Sequence, residues 1–246
     1  MSHNRRTPAR ARVRVTLSGS DPLWEDGWML DVHVVFIGAA IGLVGTSMYA
    51  YDTLRGLTQP NRVTWLLWTI APGLAFLDEL KQGVGLRSLM TFVIGFGPLL
   101  VLLASFANRR SVWKIGPFDI ACGVASGLGL VLWLVTSNDT VALFSFMAAD
   151  FLAGLPTVVK SWRDPSSEST SAYLTGAINA ALTLTTVTVW TTAVVAFPIQ
   201  IVLFNVLQVI LVAGRLGPRL RGEPRSTTIA PVEHVIAPLR AGGNDG

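Results

Sequence analysis

Long apolar stretches alternate with short polar ones along this chain, and the apolar stretches have the length of membrane-crossing helices. About 20 apolar residues span the hydrocarbon core of a bilayer as a helix. Seven such stretches are read, at 32–51, 63–77, 88–107, 117–136, 141–159, 172–194 and 197–214. Apart from Asp119 and Asp150 they are free of charged side chains. The second is short and closes on Asp78 and Glu79. The sixth and seventh run together in composition, and the break is expected at Pro198, because proline is tolerated in a first helical turn. Backbone groups in lipid have no water to bond, so helices are the predicted form throughout. The expected fold class is all-α.

The flanks differ from this pattern. Arg5, Arg6, Arg10, Arg12 and Arg14 would suit the charged start of a signal peptide, yet Asp21, Glu25 and Asp26 stand where its apolar core should be. Asp21-Pro22 reads instead as a helix N-cap followed by proline at the first helical position. Trp24 and Trp28 then share one face, which fits a short interfacial helix and equally an ordinary surface loop. Residues 1–31 are therefore a basic N-terminal tail. Residues 215–246 are rich in Pro, Gly and Thr and are expected to form a disordered, solvated tail.

Composition narrows the class. Only 14% of the 246 residues are charged and 51% are apolar, against about a quarter charged in an average soluble domain. A soluble globule would leave much of this apolar surface wet, so an integral membrane protein is expected, and the lone Cys122 excludes a disulfide-built scaffold. With the N-terminus outside, 12 of the 19 lysines and arginines fall on the cytoplasmic side and seven outside. Five of those seven are the N-terminal arginines, well before the first span. The expected placement is therefore a multi-pass cell-membrane protein with its N-terminus outside and its C-terminus cytoplasmic. The net charge of +4 follows from that placement and gives no support to nucleic-acid binding.

An internal repeat at an offset of 105 residues organises the spans. Leu54 matches Val159, Arg55 matches Lys160, Pro60 matches Pro165, Thr64 matches Ser169 and Trp68 matches Tyr173. In each copy a helix ends in a cation, a polar loop with proline follows, and hydroxyl residues open the next helix. Thr64 and Ser169 suit N-cap or first-turn positions. Arg55 and Lys160 suit a cytoplasmic helix C-terminus. The first copy is 32–107, the second 139–214, and 108–138 is a linker helix. Three helices plus one linker insert both copies in the same sense, which makes the repeat parallel.

Leu155-Pro156-Thr157-Val158-Val159-Lys160, with Pro165-Ser166-Ser167-Glu168-Ser169, resembles the PQ-loop motif of the SWEET and PQ-loop transporter families. Gln208-Val209-Ile210-Leu211 is similar to the run that closes SWEET proteins. The likeness covers about 32–214. It implies seven helices in a three-one-three layout, alternating access, and a small polar solute, sugar by preference. It also marks Pro60, Arg55, Pro156, Thr157, Lys160 and Pro165 as motif or hinge positions. The first repeat departs from the motif at Tyr51-Asp52, and Ile199 and Gln200 stand where SWEET proteins carry a pocket asparagine.

Asp150 is the sharpest chemical signal, a carboxylate near the centre of the fifth span. Such a group is costly unless it is paired, protonated or wet. It reads as a substrate contact or proton-coupling group, or else as a helix-helix hydrogen bond to a neighbour such as Asn179. Asn179, Asn205 and Gln208 could bind a solute or bond helices together. By the resemblance Trp68 and its counterpart Tyr173 could stack on a sugar ring, whereas Trp65 suits the interfacial aromatic belt. Pro72, Pro98 and Pro156 are either hinges or the ordinary prolines of membrane helices. The threonines from Thr183 to Thr192 are expected to bond back to their own helix. Asp78, Glu79, Asp119 and Asp139 read as solvated or capping.

The last span has no lysine for a retinal Schiff base, and no histidine lies deep in a span. No metal site, cofactor or catalytic residue is therefore expected, and the chain is not read as an enzyme. The expected function is transport of a small polar solute across the bilayer, with a homo-oligomer left open. The competing reading is a non-transporting seven-helix receptor or scaffold.

Overall fold

Apolar runs become helices here, and polar runs become the turns between them. The computed structural model describes residues 23–81, 88–108 and 113–223. Its helices are α1 (Leu23–Leu54), α2 (Arg62–Lys81), α3 (Ser88–Ala107), α4 (Pro117–Val135), α5 (Asp139–Arg163), α6 (Ser171–Thr185), α7 (Thr192–Ala213) and α8 (Leu216–Leu220). A single 3-10 turn, Pro165–Ser167, lies between α5 and α6. Among the described residues the fold is all-helical, without strands. Four helices, α2, α4, α5 and α7, are long and apolar enough to cross a membrane, and Thr91–Ala107 is a further apolar segment.

Packing follows the same order twice. Helix α3 packs against both α1 and α2, and α7 packs against both α5 and α6. The two groups meet through α1 on α6 and α2 on α5, while α4 lies against α5 and α2. Large apolar side chains point outward, with Leu128 and Leu203 each 65% exposed. The interior instead holds Thr53, Asn61, Thr64, Ser126, Thr157, Lys160 and Gln208. An apolar exterior around a partly polar interior is what lipid as solvent selects. It is compatible with membrane localisation.

Several boundaries differ from those read off the sequence. Helix α1 starts at Leu23 and runs unbroken, so Trp24 and Trp28 sit on the same helix as the first span and not on a separate interfacial one. At about 48 Å it is longer than the hydrocarbon core. The break between the sixth and seventh helices falls at 186–191, not at Pro198, which lies inside α7. Thr185, Thr186, Val187, Thr188 and Val189 form a β-branched run, and such residues are poor helix formers. Thr185 and Thr186 turn their hydroxyls back onto Leu182 and Thr183 carbonyls. Helix α6 is therefore only 15 residues long. Trp190, 65% exposed, marks the interruption.

Caps also moved. Asn61 caps α2, its Oδ1 accepting from the Val63 N–H at 3.0 Å, and Thr64 takes the first-turn position. Thr170 is the N-cap residue of α6, and the Ser171 N–H donates to Ser169 Oγ at 3.4 Å. The tail expected to be disordered from 215 begins as ordered chain. Arg215 takes a left-handed conformation (φ 49°) and turns the backbone into α8. Arg221 there donates to the Trp162 and Arg163 carbonyls, at 3.2 and 3.1 Å, and satisfies the free end of α5. The N-terminal arginines, Asp21-Pro22, Arg87, Arg109, Arg110 and residues 224–246 lie outside the described residues.

Helices α1 and α6 approach closely because Gly45 has no side chain. A Cβ there would meet the Ser171 carbonyl oxygen at 2.7 Å and clash with the Thr175 side chain. Gly45→Val should therefore destabilise the protein by about 1–3 kcal/mol, as overpacking does. Thermal unfolding in detergent micelles reads this as a lower midpoint, and an unchanged midpoint would show that α1 and α6 are free to separate.

Candidate functional site

Polar residues at the ends of α1 and α5 and at the starts of α2 and α6 build one end of the site. Lys160, in the last turn of α5, is 1% exposed. Its Nζ lies 2.7 Å from Glu168 Oε1, donates to the Ser167 carbonyl at 3.3 Å, and donates also to the Gln59 carbonyl. Trp113 presents its ring 5.2 Å from the same ammonium. The second oxygen of Glu168 accepts from Tyr49 at 2.6 Å and from Tyr173 at 3.0 Å. One ion pair thus joins α1, the 55–61 loop, α5 and α6. Beside it, Thr157 donates to Thr64, and Thr64 donates to the Ala153 carbonyl at 2.7 Å. Asn61 donates to Asp119 Oδ1 at 2.9 Å, and Asp119 Oδ2 accepts from the Gly116 N–H. Asp119 caps α4 as expected of its position, but it is buried rather than solvated.

Lys160 and Arg55, matched in the repeat, have separate surroundings. Arg55 is exposed and lies over the Tyr51 ring at 4.9 Å. Only the second copy carries an acid, Glu168, within reach of its cation. Pro60, Pro156 and Pro165 are all buried at this end.

Above this layer is an aromatic floor. Tyr49 packs on Trp65 with centroids 4.9 Å apart, and Trp65 meets Trp68 edge-on at 5.4 Å. Trp65 is 2% exposed, so it belongs to the core and not to an interfacial belt. Gly154 makes room for the next ring pair: a Cβ on it would lie 2.7 Å from Phe204 and 2.9 Å from Trp68.

A cavity of about 400 Å³ rises from that floor, lined by α1, α2, α3, α5, α6 and α7. Trp68, Asp150, Tyr173, Asn179 and Asn205 all line it. Asp150 accepts one bond, from Gln200 Nε2 at 3.2 Å on Oδ2, and its main-chain oxygen accepts from Trp68 Nε1 at 3.4 Å. Its partner is therefore Gln200 on α7, not Asn179. Asn205 donates to the Ile201 carbonyl of its own helix at 2.9 Å. The side chain of Asn179 bonds no other described residue. Pro72, Pro98 and Pro198 also line the cavity, whereas Pro156 does not. Gln208 is fully buried away from it, and neither atom of its amide has a partner among the described residues. At the far end Thr91 lines the cavity and donates to Glu79 Oε1 at 2.8 Å, so Glu79 is bonded rather than simply solvated. The side chain of Asp78 lies outside those described, and Asp139 is exposed beside the Asn138 cap of α5.

Glu168, Tyr49 and Gln200 are the site residues that sequence reasoning missed. Glu168 lies within the motif already singled out, eight residues after Lys160 across a helix end, and that spacing was the available signal. Comparison with protein-family models, with curated proteins and with solved structures finds no match. No group of three or more metal-ligating side chains occurs among the described residues.

Removing one member of a buried ion pair leaves the other charge uncompensated, at a cost of about 3–5 kcal/mol. Glu168→Ala should therefore lower the unfolding midpoint in detergent sharply. The double variant Lys160→Met with Glu168→Gln should be less damaging than the two single effects added. Strict additivity would show that the two charges are not coupled.

Proposed function

We propose that this chain is a multi-pass membrane transporter that passes a small solute by alternating access between two like halves. The carrying observation is the cavity itself. Six helices, three from each half, surround it, and polar side chains face into it from α5, α6 and α7. One end is closed by the Tyr49, Trp65 and Tyr173 rings over the buried ion pair. The other end reaches Thr91 near the start of α3 and Thr183 near the end of α6. A passage barred at one end by a layer that bonds the halves together is the arrangement a rocking mechanism needs.

The repeated packing order supports the seven-helix, three-one-three reading, with α4 as the linker. Helices α3 and α7 each pack on both of the other helices in their half. Trp68 and Tyr173, 105 residues apart, both face the cavity. These features favour the resemblance to the SWEET and PQ-loop families and, with the arginine and lysine distribution, the N-out, C-in placement. On that placement the closed end faces the cytoplasm. A receptor would use the same cavity for binding alone, without carrying solute across.

Purified protein in liposomes, tested with sugars, amino acids and organic cations, should carry at least one solute across the membrane. Ala180→Trp fills the cavity from α6 and should reduce that flux by about tenfold or more, while the protein remains folded by circular dichroism. Folded protein that moves no solute would overturn the transport reading.

A further inference from the structure

The cavity presents unpaired acceptors and one charge. Asp150 is the only charged side chain lining it among the described residues. That carboxylate has a single neutral donor, Gln200, on one oxygen, which is poor compensation for an ion facing apolar walls. The nearest buried cation, Lys160, is spent on Glu168 behind Tyr173, and Lys81 lies exposed at the end of α2 without lining the cavity. Near the far end a second carboxylate, Glu79, bonds Thr91 through one oxygen and buries the other without a partner.

The hydroxyls are already committed to the protein. Thr46 donates to the Gly42 carbonyl at 3.0 Å, Thr183 to the Asn179 carbonyl at 3.0 Å, Thr91 to Glu79 and Tyr173 to Glu168. Pro72 and Pro98 each lack an N–H, which leaves the carbonyls of Trp68 and Ile94 without their helical donors. Both belong to lining residues. The donors left are the Asn179 amide and the buried Trp65 Nε1–H, which has no partner among the described residues, too few for the several oxygens of a polyhydroxylated solute. Among the apolar walls are five aromatic rings, those of Trp65, Trp68, Phe146, Phe197 and Phe204. Aromatic faces attract cations, most strongly where water is excluded.

We infer that the cavity binds an organic monocation, a protonated amine or quaternary ammonium on an apolar body, with its charge on Asp150. This names the substrate class of the passage proposed above and rests on that reading for movement, but not for binding. The ammonium supplies the counter-charge that Asp150 lacks, and the apolar body covers the rings.

The test compares benzyltrimethylammonium with neopentylbenzene, the uncharged carbon analogue of the same shape, and with D-glucose. Binding is read by calorimetry and by the thermal midpoint of the detergent-purified full chain, and flux is read separately in liposomes. The cation should bind at least about tenfold more tightly than either neutral probe, and Asp150→Asn should remove about that advantage. The wild-type comparison decides the matter should the variant fail to fold. Equal binding of the carbon analogue, or glucose binding without cation binding, overturns the inference. Cation binding without flux of any solute keeps the inference and overturns transport. Sugar flux without cation binding does the reverse.

Discussion

A lysine and a glutamate shut away from water hold the closed end of the cavity, and the rest of the site depends on how they are satisfied. Lys160 and Glu168 are both fully buried at their side chains. Two ions so placed are tolerated only if their remaining hydrogen-bonding capacity is met. The partners that meet it come from every neighbouring element: Gln59 before α2, Ser167 in the 3-10 turn, Tyr49 on α1 and Tyr173 on α6. Tyr173 is thereby fixed with its hydroxyl turned to Glu168 and its ring turned to the cavity. Tyr49 is fixed against Trp65, and Trp65 against Trp68. The floor of the cavity is thus an indirect product of one charge pair.

The same accounting explains the polarity of the walls. In a helix bundle each threonine can return its hydroxyl to a carbonyl three or four residues back. Thr46, Thr69, Thr175 and Thr183 do so. Residues that look like polar lining in the sequence are therefore consumed within their own helices. What remains for a ligand is what no helix satisfies: the Asp150 carboxylate, the Asn179 amide and the Trp65 Nε1–H.

Legibility followed physical scale. Hydropathy is summed over many residues, so the helices and most of their limits were readable, and a single aspartate in an apolar run was visible for the same reason. Asp150, Asn179, Asn205, Trp68 and Tyr173 lie around one cavity. The partners of these residues were not readable, because they come from distant segments: Gln200 lies 50 residues from Asp150, and Tyr49 lies 119 from Glu168. Trp65 was misplaced because a tryptophan near a helix start has the same local sequence whether it faces headgroups or a core. The break at 186–191 was not legible because a proline is the stronger local signal of a helix start than a run of β-branched residues is of a helix end, and Pro198 is accommodated inside α7.

The distribution of prolines suggests how the helices, rather than the halves, divide labour in the proposed cycle. Pro72, Pro98, Pro156 and Pro198 fall in α2, α3, α5 and α7, where each removes a helical hydrogen bond and eases bending. Helices α1 and α6 contain none. Those two are pressed together at Gly45, with a backbone carbonyl of α6 against α1. A close contact between unbroken helices resists shear, so α1 and α6 form the fixed pair, and the proline-bearing helices are the ones able to flex around the cavity. Helix α5 carries both Asp150 and Lys160, with Pro156 between them. Bending at Pro156 moves the carboxylate that faces the solute relative to the ammonium that holds the closed end. Ligand contact and closure are coupled within a single helix, across ten residues.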